Sequence, residues 1–208
     1  DQVNSIIEDS EGDLWYGTNN GISLQKSKTG KWHSYLSTFE NVQNSKNHIF
    51  TTLCEVSPGI IWAGGYFSGI YQIDKRTSKT TYFTPALYAR EDIRPDKYIR
   101  DIRKDSHGYI WTGGYYNLKR INVQTKDIRL YHGLHSVTAI IEKDDKSMWI
   151  GTATGLHLLD KESGKFERIQ LPVESTYIYS LYQTKKGSLY IGTSGSGVLI
   201  YDPQTKLF

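Results

Sequence analysis

The sequence predicts an all-β protein built from about five similar four-stranded antiparallel units. A short motif, in which an apolar residue and an aromatic residue are followed by a glycine, recurs five times along the 208 residues. The aromatic residues at its centre are 47, 49, 38 and 41 positions apart. No unit shows the apolar spacing of three and four that marks an amphipathic helix. A period near 40 residues without helices is typical of a β-propeller, in which each repeat forms one blade.

Each unit begins with an apolar strand rich in β-branched residues, as half-buried strands usually are. Two apolar residues lie nine and twelve positions before the aromatic residue of each unit. They are Ile6 and Val3, Leu53 and Phe50, Ile102 and Ile99, Ile140 and Val137, and Leu181 and Ile178. A hairpin glycine follows at Gly12, Gly59, Gly108 and Gly187. Lys146 occupies this position in the fourth unit, so we expect a different turn there.

The second strand carries the aromatic residue, with a glycine two positions later. The aromatic residues are Trp15, Trp62, Trp111, Trp149 and Tyr190, and the glycines are Gly17, Gly64, Gly113, Gly151 and Gly192. Large rings dominate the energetics of packing. We therefore expect these rings to pack between neighbouring blades rather than to bind a ligand.

A short loop leads to the third strand, and a polar turn leads to the fourth. The loops end at Gly21, Gly69, Asn117, Gly155 and Gly197, and the fourth strands begin near Trp32, Thr80, Ile128, Phe166 and Phe208. Asparagine tolerates left-handed geometry best after glycine, so Asn117 is expected to adopt it. The units cover approximately residues 1–36, 48–84, 97–132, 136–170 and 177–208. We expect a partial propeller, an open arc whose last blade is incomplete; a closed five-bladed ring is the alternative.

Composition argues against a nucleic-acid partner, a membrane segment and a bound metal. The 25 basic and 22 acidic residues give a net charge of +3, which is too balanced for a nucleic-acid-binding surface. This sequence has no apolar run long enough for a membrane segment. The six histidines show no metal-site spacing, so no cofactor, no metal and no catalytic residue are expected. Cys54 is expected to be a buried, inert thiol. The open ends of an arc are expected to contact further blades of a longer chain or a second copy, as a homodimer.

Two long connections, residues 36–48 and 84–97, flank loops that are rich in aromatic residues. Long loops on a rigid scaffold often carry function. Flat rings suit the apolar face of a pyranose, and planar polar groups suit its hydroxyls. We therefore predict an oligosaccharide ligand. The predicted binding residues are Tyr66, Phe67, Tyr115, Tyr116, Asn117, Arg90, Asp92 and Arg94.

The repeats resemble the two-component regulator propeller repeat. The segment IIEDSEGDLWYGTNNGISL follows that pattern almost throughout, and IIEKDDKSMWIGTATGLHLLD departs only at Lys146. Gly65 and Gly114 replace the threonine of the usual Gly-Thr step. The resemblance implies a periplasmic, glycan-detecting sensor region of a Bacteroidetes-type hybrid histidine kinase, whose catalytic domain lies outside this sequence.

Two other functions fit a propeller. A protein-interaction scaffold would present an apolar patch on the face of the propeller that carries these loops. An enzyme similar to streptogramin lyase would need a histidine and an acid in one pocket, for which His48 or His135 near a carboxylate would be the sign.

Overall fold

The computed structural model describes residues 2–36, 48–83, 97–174 and 176–208. Within these ranges the chain forms nineteen strands in five antiparallel sheets, each following chain order. The first sheet holds β1 (Val3–Glu8), β2 (Leu14–Thr18), β3 (Gly21–Gln25) and β4 (Trp32–Tyr35). The second holds β5 (Ile49–Ser57), β6 (Ile60–Tyr66), β7 (Gly69–Asp74) and β8 (Lys79–Tyr82). The third holds β9 (Ile99–Lys104), β10 (Ile110–Gly114), β11 (Leu118–Ile121) and β12 (Ile128–Tyr131). The fourth holds β13 (Val137–Glu142), β14 (Ser147–Thr152), β15 (Gly155–Asp160) and β16 (Phe166–Ile169). The fifth holds β17 (Ile178–Gln183), β18 (Leu189–Thr193) and β19 (Val198–Tyr201).

The first strands of the five sheets lie next to one another in order. β1 packs on β5, β5 on β9, β9 on β13 and β13 on β17. They border a polar cavity of about 320 Å³, here called the central channel, to which all five of these strands contribute residues. The sheets are therefore the blades of a propeller, and the fifth has three strands, as the sequence predicts.

The glycine two positions after each aromatic residue sets the contact with the next blade. A Cβ on Gly64 would lie 2.4 Å from Ile99 Cγ2, and one on Gly151 would lie 2.7 Å from Ile178 Cγ2. These are impossible contacts, so only glycine lets the next inner strand approach this closely. The prediction that the neighbouring tryptophans pack between blades is also confirmed, because all four are at most 1% exposed. Trp111, for example, shares a core cluster with Val137 and Ile140 of the following blade.

The two end sheets do not pack on each other in the way the inner sheets do. Ile6 on the first sheet is 58% exposed and Tyr182 on the fifth is 64% exposed. Tyr190, which occupies the tryptophan position of the last blade, is 37% exposed. The five sheets therefore form an open arc, as predicted, and not a closed ring.

The sequence predicts the unusual turn of the fourth blade but not the conformation of the β10–β11 loop. The fourth blade does turn differently, because Asp144 and Ser147 exchange both backbone hydrogen bonds, at 3.4 Å, and Lys146 keeps a negative φ. The prediction for Asn117 was wrong, since its φ is also negative and the β10–β11 loop turns without a left-handed residue there. Cys54 is only partly buried. Burial nevertheless raises the pKa of its thiol to about 11, which keeps it protonated at neutral pH.

Candidate functional site

Five aromatic rings of the second and third blades lie together. They are Tyr66, Phe67, Tyr98, Tyr115 and Tyr116, here called the aromatic cluster. The ring centroids of Phe67 and Tyr98 are 4.5 Å apart, and those of Tyr98 and Tyr115 are 6.0 Å apart. Tyr115 and Tyr116 meet edge to face at 5.0 Å. The second and third blades thus contribute to one continuous aromatic surface, with Tyr98 at its centre.

Backbone hydrogen bonds place these rings. The loop after β6 is tied to the segment before β9, because the Gly69 N–H donates to Lys97 O at 3.2 Å. In the same way the Ser136 N–H donates to Tyr115 O at 3.0 Å. Phe67 stands at the tip of its loop with a φ of 59°, a conformation that few non-glycine residues adopt. Loop backbone and blade packing therefore hold the cluster in position together.

Three rings of the cluster are exposed, unlike the tryptophans earlier in the strands that lead to them. Phe67 is 48% exposed, Tyr115 is 53% exposed and Tyr116 is 39% exposed. Trp62 and Trp111, in the strands that lead to these loops, are 0% exposed. A surface on which several exposed aromatic rings lie together is usually one that binds a ligand or a partner.

A polar border joins the cluster to the mouth of the central channel. The Arg100 guanidinium carbon lies 5.4 Å from the centroid of the Tyr66 ring. The same guanidinium donates a hydrogen bond to the Tyr177 hydroxyl, and the Tyr177 ring lies 4.8 Å from that of Tyr179. The third and fifth blades therefore supply the hydrogen-bonding groups beside a surface made mainly by the second and third.

The structure brings four of the predicted binding residues together: Tyr66, Phe67, Tyr115 and Tyr116. Asn117 is half-buried beside them, and its side chain forms no hydrogen bond with the other described residues. Arg90, Asp92 and Arg94, with most of the two long connections, lie outside the residues that the structure describes.

Sequence reasoning missed Tyr98, Arg100 and Tyr177. Tyr98 and Tyr177 both stand thirteen positions before the central aromatic residue of their units. A comparison of that repeat position would have found them. Arg100 could have been found in the same way, since it is the arginine at a position that otherwise holds Asn4, Thr51, Thr138 and Tyr179.

A second group of polar side chains lies at the other end of the blades. Asp105, His107 and Glu142 place one ligand atom each within 4.8 Å of one another. Lys161 is already ion-paired with Glu142, and its Nζ is 3.7 Å from Asp105 Oδ2. Among the described residues, this group includes neither His48 nor His135, the histidines on which the enzyme alternative depended.

Comparison with known families identifies the repeats. The family model described as two component regulator propeller matches residues 1–20 and 172–195, at opposite ends of the chain. These two segments match the two-component regulator propeller repeat. The match in the first blade covers the segment with Trp15, and the match in the fifth covers the equivalent segment with Tyr190. The resemblance inferred from the five motifs is therefore confirmed. No curated protein sequence matches the chain significantly.

Several solved structures share the fold of this chain. The extracellular domain of a protein described as a hybrid two component system of B. thetaiotaomicron superposes with a TM-score of 0.77 at 22% identity, over 96% of this chain and 26% of that one. The extracellular domain of a protein described as a one component system of the same organism gives 0.77 at 20% identity, over 99% and 27%. This chain thus spans about a quarter of the length of either structure.

An enzyme also shares the fold of this chain. Virginiamycin B lyase from Staphylococcus aureus superposes with a TM-score of 0.70 at 17% identity, over 96% of this chain and 69% of the lyase. At such identities the likeness concerns the fold and not the chemistry. In the part of the chain that the structure describes, no helix has the length and apolar character needed to span a bilayer.

Proposed function

We propose that this protein is a ligand-sensing propeller module that binds a glycan at the aromatic cluster. The observation that carries the proposal is the exposure of Phe67, Tyr115 and Tyr116 on one continuous ring surface, held by the loops of a rigid scaffold. Flat, exposed rings can stack on the apolar face of a sugar. Such rings lose little conformational entropy on binding, because they have few rotatable bonds.

The family resemblance supports a place for the module in signalling. We infer that it belongs to the extracytoplasmic sensor region of a hybrid two-component histidine kinase, in the periplasm. The kinase would then lie outside this sequence. The extracellular domains from B. thetaiotaomicron with the same fold support this assignment. The module itself would bind its ligand without turning it over.

The composition of the cluster favours a sugar over a protein partner. Four of its five rings are tyrosines, whose hydroxyls can bond to the hydroxyls of a glycan. Arg100 and Tyr177 add polar groups at its border. A docking surface for a protein scaffold would be expected to have a more apolar centre with a polar rim.

Isothermal titration calorimetry of the full-length protein against a panel of neutral and charged oligosaccharides tests the proposal. We expect saturable binding to at least one glycan. A variant with Phe67→Asn and Tyr115→Ala should bind that glycan about tenfold more weakly or worse, because two stacking faces are lost. Asparagine at position 67 keeps the left-handed backbone accessible.

The matched control is Trp32→Ala, which removes a ring that is 57% exposed on the outer strand of the first blade. This variant should bind the glycan as the wild type does, and circular dichroism should show all three proteins folded. Binding of no oligosaccharide by the wild type would reject the proposal and favour a protein-interaction scaffold. Turnover of a bound ligand would favour an enzyme.

A further inference from the structure

The inner strands carry a repeated hydrogen bond that seals one blade to the next. It comes from the side chain eleven positions before the central aromatic residue, and it ends on a backbone carbonyl of the following inner strand. The bonds run from Asn4 to Phe50 O at 3.2 Å, from Thr51 to Ile99 O at 2.9 Å, and from Thr138 to Ile178 O at 2.6 Å. The first, second and fourth blades thus use this position for structure.

Arg100 occupies the same position in the third blade and forms no such bond. The neighbouring Asp101 still holds this junction, because its Oδ2 accepts a hydrogen bond from the Ile140 N–H of the fourth blade at 2.7 Å, as Thr52 Oγ1 accepts from the Ile102 N–H at the preceding junction. Arg100 is therefore released from the role that its repeat position has in the other three blades. A residue that leaves a repeated structural pattern needs another explanation.

The Arg100 side chain reaches across the channel mouth instead of to the next blade. Its contacts are the Tyr177 hydroxyl of the fifth blade and the face of Tyr66 of the second. No carboxylate lies within ion-pairing distance of it among the described residues. Arg103, three positions along the same strand, is by contrast paired with Asp101 at 3.1 Å. The Arg100 guanidinium therefore offers positive charge beside the aromatic cluster, and N–H donors that none of the described residues occupies.

We propose that Arg100 binds an anionic group, a carboxylate or a sulfate, on a glycan stacked against the aromatic cluster. The planar guanidinium matches such oxyanions with two parallel N–H donors. Tyr177 accepts from Arg100, so its own hydroxyl proton can be donated to the same anion. This inference rests on the proposed function and names its ligand class, acidic oligosaccharides. A ligand bound in this way would contact the second, third and fifth blades at once.

Calorimetry with matched ligands tests this inference. The probes are trigalacturonate and its methyl ester, together with a sulfated carrageenan tetrasaccharide and its desulfated form. We expect the full-length protein to bind at least one charged form about tenfold or more tightly than its neutral partner, because a hydrogen bond to a charged group is lost with the charge. Binding of the charged form should weaken as salt is raised. Whichever pair shows the preference identifies the anion as a carboxylate or a sulfate.

Arg100→Gln should abolish the preference, so that the charged form binds no more tightly than its neutral partner. The control is Arg120→Gln. Arg120 belongs to the same blade and stacks over a ring, with its guanidinium carbon 4.5 Å from the Tyr109 centroid, but it does not contact the aromatic cluster. Arg120→Gln should keep the preference, which separates the local site from general loss of charge.

The outcomes distinguish the two proposals. Equal affinity for charged and neutral partners, or a preference that survives Arg100→Gln, overturns the anion site but leaves glycan binding standing. Failure to bind any neutral or charged oligosaccharide rejects both. A preference lost in both arginine variants also overturns the assignment to Arg100, because it would then follow net charge alone.

Discussion

Gly113 shows how one residue sets the distance between two blades. A Cβ at this position would lie 2.3 Å from Val137 Cγ1 and 2.9 Å from Val137 Cβ. The valine is buried at the start of β13, so it cannot move aside without opening the junction. Gly192 has the same position in the fifth blade, where the nearest atom to a new Cβ is Ser180 Oγ at 2.5 Å. Ser180 is exposed and can rotate.

Gly113→Ala is therefore expected to lower the free energy of unfolding by about 1–3 kcal/mol, the usual cost of overpacking a buried contact. Urea denaturation followed by tryptophan fluorescence measures it. Gly192→Ala is the matched control and should cost less than about 0.5 kcal/mol, as most changes at exposed positions do. Equal costs at both positions would contradict the packing explanation.

At the scale of the strand ends, buried ion pairs join the first blade to the second. Lys75, which follows β7, places its Nζ 2.6 Å from Asp9 Oδ2 and 2.7 Å from Asp13 Oδ2, with a side chain 5% exposed. Asp9 also accepts the indole N–H of Trp15 at 2.8 Å. The third and fourth blades repeat the arrangement, since Asp105 accepts the indole N–H of Trp111 at 2.8 Å and faces Lys161.

The same junction between the second and third blades is apolar. Val56 stands where the first and third blades have an aspartate, and it packs in one core cluster with Val123 of the third blade. The indole N–H of Trp62 donates to Gln72 instead, at 3.2 Å. The fold therefore accepts either a complete ion pair or a complete apolar contact, and half of an ion pair would be the costly state.

Lys75→Met leaves the carboxylates of this junction without their cation. It should lower the free energy of unfolding by about 3–5 kcal/mol at neutral pH, because buried carboxylates lose their cation. Lys26→Met is the control. Lys26 also contacts Asp13, at 3.0 Å, but it is 32% exposed, so the expected loss is below about 1 kcal/mol. Thermal and urea denaturation of both variants provide the comparison.

The pH dependence of this junction follows from the pKa directions. Burial works against the charged form of Asp13, but hydrogen bonds from Lys75 and Ser27 outweigh it and hold the pKa of the carboxyl below its usual value of 3.8. Asp9 shifts in the same direction, because the bonds from Lys75 and the Trp15 indole outweigh its burial. Their contribution to stability is thus complete above about pH 4 and is lost as pH falls below it. The difference between Lys75→Met and the wild type should shrink in that acid range; a constant difference would contradict the assignment.

The junction between the fourth and fifth blades lacks a hydrogen-bond acceptor for the indole N–H, which the other three junctions have. The buried indole nitrogen of Trp149 has no hydrogen-bond partner among the described residues. Lys143 stands six positions before Trp149, where the first and third blades have Asp9 and Asp105. Its backbone keeps one bond of the turn in those blades, because the Lys143 N–H donates to Ser147 O at 3.0 Å, as the Asp9 N–H donates to Asp13 O at 2.9 Å.

Lys143→Asp should therefore supply the missing acceptor and raise the free energy of unfolding by about 1 kcal/mol, the typical net value of a hydrogen bond. Lys146→Asp changes the same charge in the same turn without reaching the indole, and should give no gain. The contrast between the two in urea denaturation is the measurement. A loss of stability in Lys143→Asp alone would show that the turn cannot place the carboxylate as the first and third blades do.

At the scale of the whole molecule, the central channel creates an environment that no single blade contains. Asp101 in β9 accepts hydrogen bonds from Ile140 N of the fourth blade at 2.7 Å and from Thr52 Oγ1 of the second at 3.4 Å. Burial raises the pKa of its carboxyl, although Arg103 acts in the opposite direction. The ionised form therefore costs folding energy. That cost is absent at low pH and grows as pH rises through the window between 3.8 and the raised value.

Asp101→Asn keeps an acceptor for Ile140 and removes the cost of the charge. The stability of this variant relative to the wild type should be higher at pH 7 than at pH 4, as thermal denaturation at the two values would show. Asp144→Asn is the control with the opposite sign. Hydrogen bonds from Lys143 and Lys146 outweigh burial at Asp144 and lower its pKa, so this variant should be less stable than the wild type at pH 7, and that loss should shrink as pH falls below about 4. The same pH trend in both variants would contradict the channel explanation.

The sequence alone determined the blades, because a motif that repeats every 40 or so residues imposes the same strands, turns and packing glycines each time. It also indicated the aromatic loops of the second and third blades, since Tyr66, Phe67, Tyr115 and Tyr116 follow the packing motif directly. Only the tertiary structure decided which of these residues meet. Tyr98 and Arg100 belong to the third blade and Tyr177 to the fifth. They come together because the inner strands converge on one channel, and distances between blades cannot be obtained from repeat spacing within a blade.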